Sequence, residues 1–210
     1  MELIIPTKWD DVTIEMYIKL RPVLEVEQDP VTKAINMLTV LTDKKRKDIM
    51  NLTIPQYYKV LEKMKFLETE IPTKLNAKRF KVGKENYEFM LDAKEMLFGE
   101  YVSIMEIMQK ASEDEGIMFD NLHKILTVIC RPVEKKWFKW KPVKMDNSLI
   151  YKTQDNLLKN MSISLAYPIA FFFYTRYPSL MQTIKTFLVQ EAVVKMKEAK
   201  TLLVDGDGSA

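Results

Sequence analysis

A protein nucleophile needs a base within hydrogen-bond reach, and this chain offers one pair to weigh, His123 and Cys130, its single histidine and single cysteine in 210 residues. Seven residues apart on one helix they would share a face, yet two turns separate their backbones by about 10 Å. Cys130 also follows Leu126, Val128 and Ile129, a setting for a buried structural thiol. One histidine cannot furnish a Ser/His/Asp triad or a multi-histidine metal site, and one cysteine cannot form an internal disulfide or a zinc cluster. Asp10-Asp11 and Glu113-Asp114-Glu115 lack the alternating ligands of a calcium loop; they read as helix capping and a solvated loop. No Gly-x-Gly-x-x-Gly occurs, and no Gly-x-x-x-x-Gly-Lys precedes a helix, so a glycine loop for phosphate is unsupported. The expectation is a chain that is not an enzyme, with no cofactor and no metal.

Binding chemistry is better supplied. Between residues 131 and 144 six cations (Arg131, Lys135, Lys136, Lys139, Lys141, Lys144) face one anion, Glu134, for a local charge of +5. Lysines interleaved with Trp137, Phe138 and Trp140 have the composition that neutralises phosphates and stacks bases, which makes Lys135, Lys136, Lys139 and Lys141 candidate nucleic-acid contacts. The same pattern fits an edge strand whose aromatics pack on the core or a neighbouring subunit while its lysines stay wet. Trp9, beside the Ile4-Ile5-Pro6 arm, is the first candidate anchor for a protein partner, since tryptophan is enriched at interface hot spots; a core staple before the first helix is the competing reading. Trp137, Phe138 and Trp140 are the second candidates.

The elements that must position these groups read as mainly helical. The chain has 32 Lys+Arg against 29 Asp+Glu, a net +3, too little to imply a nucleic-acid or membrane partner by itself. With 47% hydrophobic residues it can build a core and is not intrinsically disordered. Only 5 glycines occur, two of them in the terminal Asp205-Gly-Asp-Gly-Ser-Ala segment, which favours helix over sheet. Asp11 and Thr13 are both natural N-caps for a first helix, about 13–25, that Pro22 can kink; Asp29-Pro30 opens a second to Thr42; Asp43 is expected to cap a short basic helix, 44–51. Thr53-Ile54-Pro55 starts a long helix with Tyr57, Val60, Leu61, Met64 and Leu67 on one side. Alternation from Phe80 to Leu91 about Gly83-Lys84 reads as a β-hairpin, roughly 78–91.

Helix returns from Asp92 to Ser112 and ends at Glu113-Asp114-Glu115-Gly116. Asp120 is expected to cap the next helix, which Arg131-Pro132 stops. The arm 133–145 is expected to be extended, Thr153 to open a helix to Met161, and Pro178 to begin a last amphipathic helix to about Leu203. The uncharged stretch Asn160–Thr175 falls short of the ~20 residues that span a bilayer and reads as a buried helix. The acidic residue at position 2 and the three-residue apolar run that follows are unlike a secretory signal. Methionines such as Met90, Met96, Met105, Met108 and Met118 suit an adaptable core. The expected organisation is one compact multi-helix domain, 1–204, with an inserted hairpin and a basic aromatic arm, then a flexible tail, 205–210.

The segments Ile5-Pro-Thr-Lys-Trp-Asp-Asp-Val-Thr-Ile-Glu-Met-Tyr17, Asp29-Pro30 and Phe119-Asp-Asn-Leu-His-Lys-Ile-Leu-Thr-Val-Ile-Cys-Arg-Pro-Val133 together resemble small helical proteins encoded among the virion genes of tailed bacteriophages, notably those infecting Bacteroides and its relatives. The resemblance covers most of the chain and includes no catalytic signature. It implies a non-enzymatic part in particle morphogenesis, as a minor component of the tail or head-tail junction or as a tail-assembly chaperone-like factor. Expected partners are other phage structural proteins or further copies in a ring, and the expected location is the virion or the host cytoplasm, with no membrane. The group supplies no site residues.

Overall fold

The computed structural model describes residues 3–74, 78–89, 98–111, 115–173 and 175. The protein is mainly α with an inserted antiparallel sheet. A 3-10 turn at Trp9–Asp11 leads into α1 (Ile14–Glu25), whose N-cap Thr13 accepts from the Met16 N–H. Pro22 lies in its last turn and the helix continues past it, because there it forfeits only one internal hydrogen bond. Asp29 caps α2 (Pro30–Thr42) by accepting from the Thr32 N–H at 2.9 Å, with proline at the first helical position. Thr53 and Gln56 form a reciprocal capping box at α4 (Ile54–Met64), which tightens into a 3-10 turn at Lys65–Glu68.

Two caps differ from expectation. Asp43 ends α2 in the left-handed conformation, φ 51°, and the short α3 (Arg46–Met50) is capped from Lys45, whose N–H donates to Asp48. Asp120 ends a separate helix α6 (Glu115–Asp120), and Asn121 precedes α7 (Leu122–Ile129). Glu115, read as part of a loop, is the first residue of that helix, while residues 113 and 114 lie outside the described residues. Asp43 can end α2 because its short side chain tolerates the left-handed region.

The hairpin β1 (Arg79–Val82) and β2 (Glu85–Phe89) forms as read from its alternation, and α5 (Phe98–Ala111) follows. Residues 90–97, 112–114 and the helix and tail anticipated after Pro178 lie outside the described residues. The basic arm is extended, as expected, and folds into a second hairpin. Residues Cys130–Lys136 form β3 and Lys139–Pro142 form β4; β3 pairs with β2 (Phe89 opposite Cys130, Asn86 opposite Val133), giving one sheet in the order β1-β2-β3-β4. Two hairpins distant in sequence thus share one sheet, a pairing that local alternation does not announce.

The next helix, α8 (Asn147–Asn160), starts six residues before Thr153, from Asp146, which accepts from the Leu149 N–H at 2.8 Å. A further helix, α9, covers 163–173 of the uncharged stretch and buries Ile163, Ala166, Ile169, Ala170 and Phe173. The chain's two halves are knitted at its start: Ile14 N–H donates to Met161 O at 3.0 Å and Ile163 N–H to Val12 O at 2.8 Å. Buried side chains form one cluster that runs from Leu3 to Phe173 and includes Met64 and Met161. No helix among the described residues is long and apolar enough to cross a membrane.

Candidate functional site: the tip of the second hairpin

Strand β3 changes character midway. Cys130, Arg131, Pro132 and Val133 are buried; Glu134, Lys135 and Lys136 are exposed. The inner half is anchored by Arg131, which makes a two-pronged pair with Glu100 of α5, both contacts 2.6 Å, with both side chains buried. That geometry satisfies both charges where water is excluded. Nothing near Arg131 in sequence signals the pair, since its partner lies on a helix 31 residues upstream. Strand β2 stops at Glu85, whose partner on β1 is Val82, so beyond Glu134 the β3–β4 ribbon continues alone.

At the end of that ribbon Lys136 pairs with Lys139, closing a two-residue turn of Trp137 and Phe138. Each of these rings is 92% exposed. Trp137 takes φ 57°, a region that hairpin turns normally fill with glycine, asparagine or aspartate and that costs a bulky residue about 1–2 kcal/mol. A strained backbone thus carries two large apolar side chains into solvent, at a position where hydration opposes both.

The other sequence candidates fall elsewhere. Trp9 is 7% exposed; its ring packs edge-on against Tyr17 and Phe66, and its Nε1–H donates to Thr69 O at 3.1 Å. It is the staple, and as a partner anchor it is corrected: an interior hydrogen bond and two aromatic neighbours already satisfy it. Trp140 is half-buried, with the Arg79 guanidinium 4.8 Å from its ring centroid, a cation–π contact within the chain. It also lines a cleft with Val133, Lys135 and Leu149.

The four candidate lysines do not share one face with the aromatics. Paired residues of an antiparallel ribbon lie on the same face and neighbours alternate, so Lys135 goes with Trp140 while Lys136, Lys139 and Lys141 lie opposite with Glu134. Lys136 is bonded to Glu134 at 2.7 Å; Lys135, Lys139 and Lys141 form no ion pair among the described residues. The ribbon is therefore a basic stalk beneath an aromatic tip and does not form a flat platform on which successive bases stack.

The nucleophile considered from sequence takes no such position. Cys130 is fully buried, and burial pushes its thiol pKa well above the ordinary value. Burial, with Lys124 nearby, lowers the pKa of His123, whose Nδ1 is enclosed and without a hydrogen-bond partner among the described residues. Burial likewise raises the pKa of the Tyr87 phenol, whose hydroxyl donates to Glu85 at 2.8 Å and accepts from Asn156 at 2.8 Å. Lys152 completes this cluster by bonding Glu85 at 2.7 Å, and together they clamp the first hairpin to α8. Among the described residues no group of three or more His, Cys, Asp or Glu side chains is placed to hold a metal ion.

Comparison with protein-family models, curated proteins and solved structures finds no match.

Among the exposed apolar residues, Trp137 and Phe138 stand out as adjacent aromatic side chains at a hairpin tip where Trp137 holds a left-handed backbone.

Proposed function

We propose that the protein is a non-catalytic component or assembly factor of bacteriophage particles, acting through protein-protein contacts made by the tip of its second hairpin. The observation that carries this reading is Trp137 and Phe138, both 92% exposed, at a turn where Trp137 holds a left-handed backbone. Adjacent aromatics on a two-residue turn supply large apolar contact area on side chains with few rotatable bonds, the character of an interface anchor. The surrounding lysines favour a partner pocket with an acidic rim and speed encounter with it. The sequence resemblance to phage virion proteins supplies the setting, a tail, a head-tail junction or the assembly of either.

Photo-crosslinking tests the proposal. A photoreactive phenylalanine analogue replaces Trp137 in the full chain during infection, and products are identified by mass spectrometry. Crosslinks to a structural protein of the particle, this chain's own copies included, are expected. Crosslinks confined to nucleic acid or lipid, or none at all, would overturn it.

A further inference from the structure

We infer that the cleft at the root of the β3–β4 ribbon receives an extended acidic segment of another protein, which adds as a short strand beside Lys135. The inference does not depend on the reading of the tip. The cleft holds about 420 Å³ where β2 ends beside the ribbon, and Val133, Trp140, Val143 and Leu149 give it an apolar wall. That volume is in the range of ligand-binding clefts.

The backbone supplies the first argument. Val143 N–H donates to Pro132 O at 2.9 Å, so the even-numbered residues of β3 bond to β4 and the odd-numbered ones turn their N–H and C=O the other way. On that side Val133 meets Asn86 of β2, the last rung of the β2–β3 ladder. Lys135 comes one rung later, past the end of the ladder, and it lines the cleft with no strand partner on that side among the described residues. An extended peptide residue set opposite Lys135 completes both of its backbone bonds, which is the strand-addition mode of peptide recognition. The free edge of β4 offers less, because its outward positions are Trp140 and Pro142 and proline has no N–H to give.

Charge then defines the guest. Lys84, Lys135 and Lys152 line the cleft against Glu85 and Glu134, and each carboxylate is already engaged. Glu85 accepts from Lys152 at 2.7 Å and from the Tyr87 hydroxyl at 2.8 Å, while Glu134 is bonded at 2.7 Å to Lys136, which lies outside the cleft. Lys84 and Lys135 remain as exposed cations that form no ion pair among the described residues. A strand with carboxylates beside these two lysines and an apolar side chain against Leu149 and Val143 matches the cleft in charge and polarity. A phosphate backbone would answer the lysines but has no N–H for the Lys135 C=O, so the open strand edge favours a peptide.

Fluorescence anisotropy on the full chain tests this with a labelled, end-blocked hexapeptide of alternating glutamate and valine, and amide hydrogen exchange reads the backbone. Wild type is expected to bind the peptide, to bind it less tightly as salt rises, and to show slowed exchange at the Lys135 N–H. Lys84→Glu/Lys135→Glu changes two exposed positions, and far-UV circular dichroism checks that it folds. It is expected to weaken binding by about tenfold or more and to prefer the same peptide with lysine in place of glutamate. Trp137→Ser/Phe138→Ser is expected to bind as wild type does, because the tip lies outside the cleft. No binding at hundreds of micromolar, binding without a change at the Lys135 N–H, undiminished affinity in the charge-reversed variant, or tighter binding of a labelled oligothymidylate would overturn the inference. If any of these is found while position 137 still crosslinks to a particle protein, the inference fails and the proposed function stands.

Discussion

Gly83 and Trp137 occupy the same place in the two hairpins of one sheet. Each is the first residue of a two-residue turn, between Val82 and Glu85 in one case and Lys136 and Lys139 in the other, and their φ angles are 59° and 57°. At position 83 glycine is demanded twice over. The left-handed backbone disfavours any Cβ, and a Cβ there would come within 3.1 Å of Asn156 Oδ1, the residue that bonds the hairpin to α8. At position 137 the backbone makes the same demand and is refused, with no neighbour holding the ring in place. The comparison separates a turn optimised for the fold from a turn whose side chains face away from it.

The largest expected effects lie where the sheet meets the body. Arg131→Ala removes the two-pronged guanidinium partner of the buried Glu100 carboxylate and is expected to cost about 3–5 kcal/mol in urea denaturation, with part of the loss recovered when Glu100→Leu is added. Trp9→Ala empties an aromatic site and is expected to cost about 3–5 kcal/mol. If Arg131→Ala were neutral, the inner half of β3 would be no better anchored than the outer half, and the contrast along that strand would collapse.

A smaller effect separates the turns directly. Gly83→Ala is expected to destabilise by about 1–2 kcal/mol from the left-handed strain and to disturb Asn156 further. Trp137→Gly relieves a similar strain but adds about 0.5–1 kcal/mol of chain entropy to the unfolded state, so thermal denaturation is expected to show a midpoint equal to wild type or raised by up to about 1 kcal/mol of stability. A clear loss from Trp137→Gly would mean that the ring supports the fold after all. The smallest effect concerns His123. Because burial lowers its folded pKa, the unfolded chain binds the proton more tightly, and stability falls as pH drops below the unfolded value of about 6.5. His123→Asn is expected to flatten this part of the wild-type stability profile between pH 7 and 5.

What could be read from sequence was what neighbours decide. Thr13, Asp29-Pro30 and Thr53-Ile54-Pro55 announce helix starts because a cap acts within three residues, and all three cap as expected. Asp43 and Asp120 close helices where their residue type equally suggests a start, since aspartate is found at both ends. The β2–β3 pairing and the Arg131–Glu100 bridge join distant segments, and no local spacing encodes them. Tryptophan type alone did not distinguish Trp9 from Trp137: the first closes the core and the second leaves it, and only the packing of Tyr17 and Phe66 separates them.

If Trp137 and Phe138 serve a contact and contribute nothing to the fold, the double variant Trp137→Ser/Phe138→Ser, measured for both thermal midpoint and recovery in particle or assembly complexes from infected cells, separates the two roles. An unchanged or higher midpoint is expected, together with loss of the chain from those complexes. An unfolded variant, or one recovered in them as fully as wild type, would contradict it.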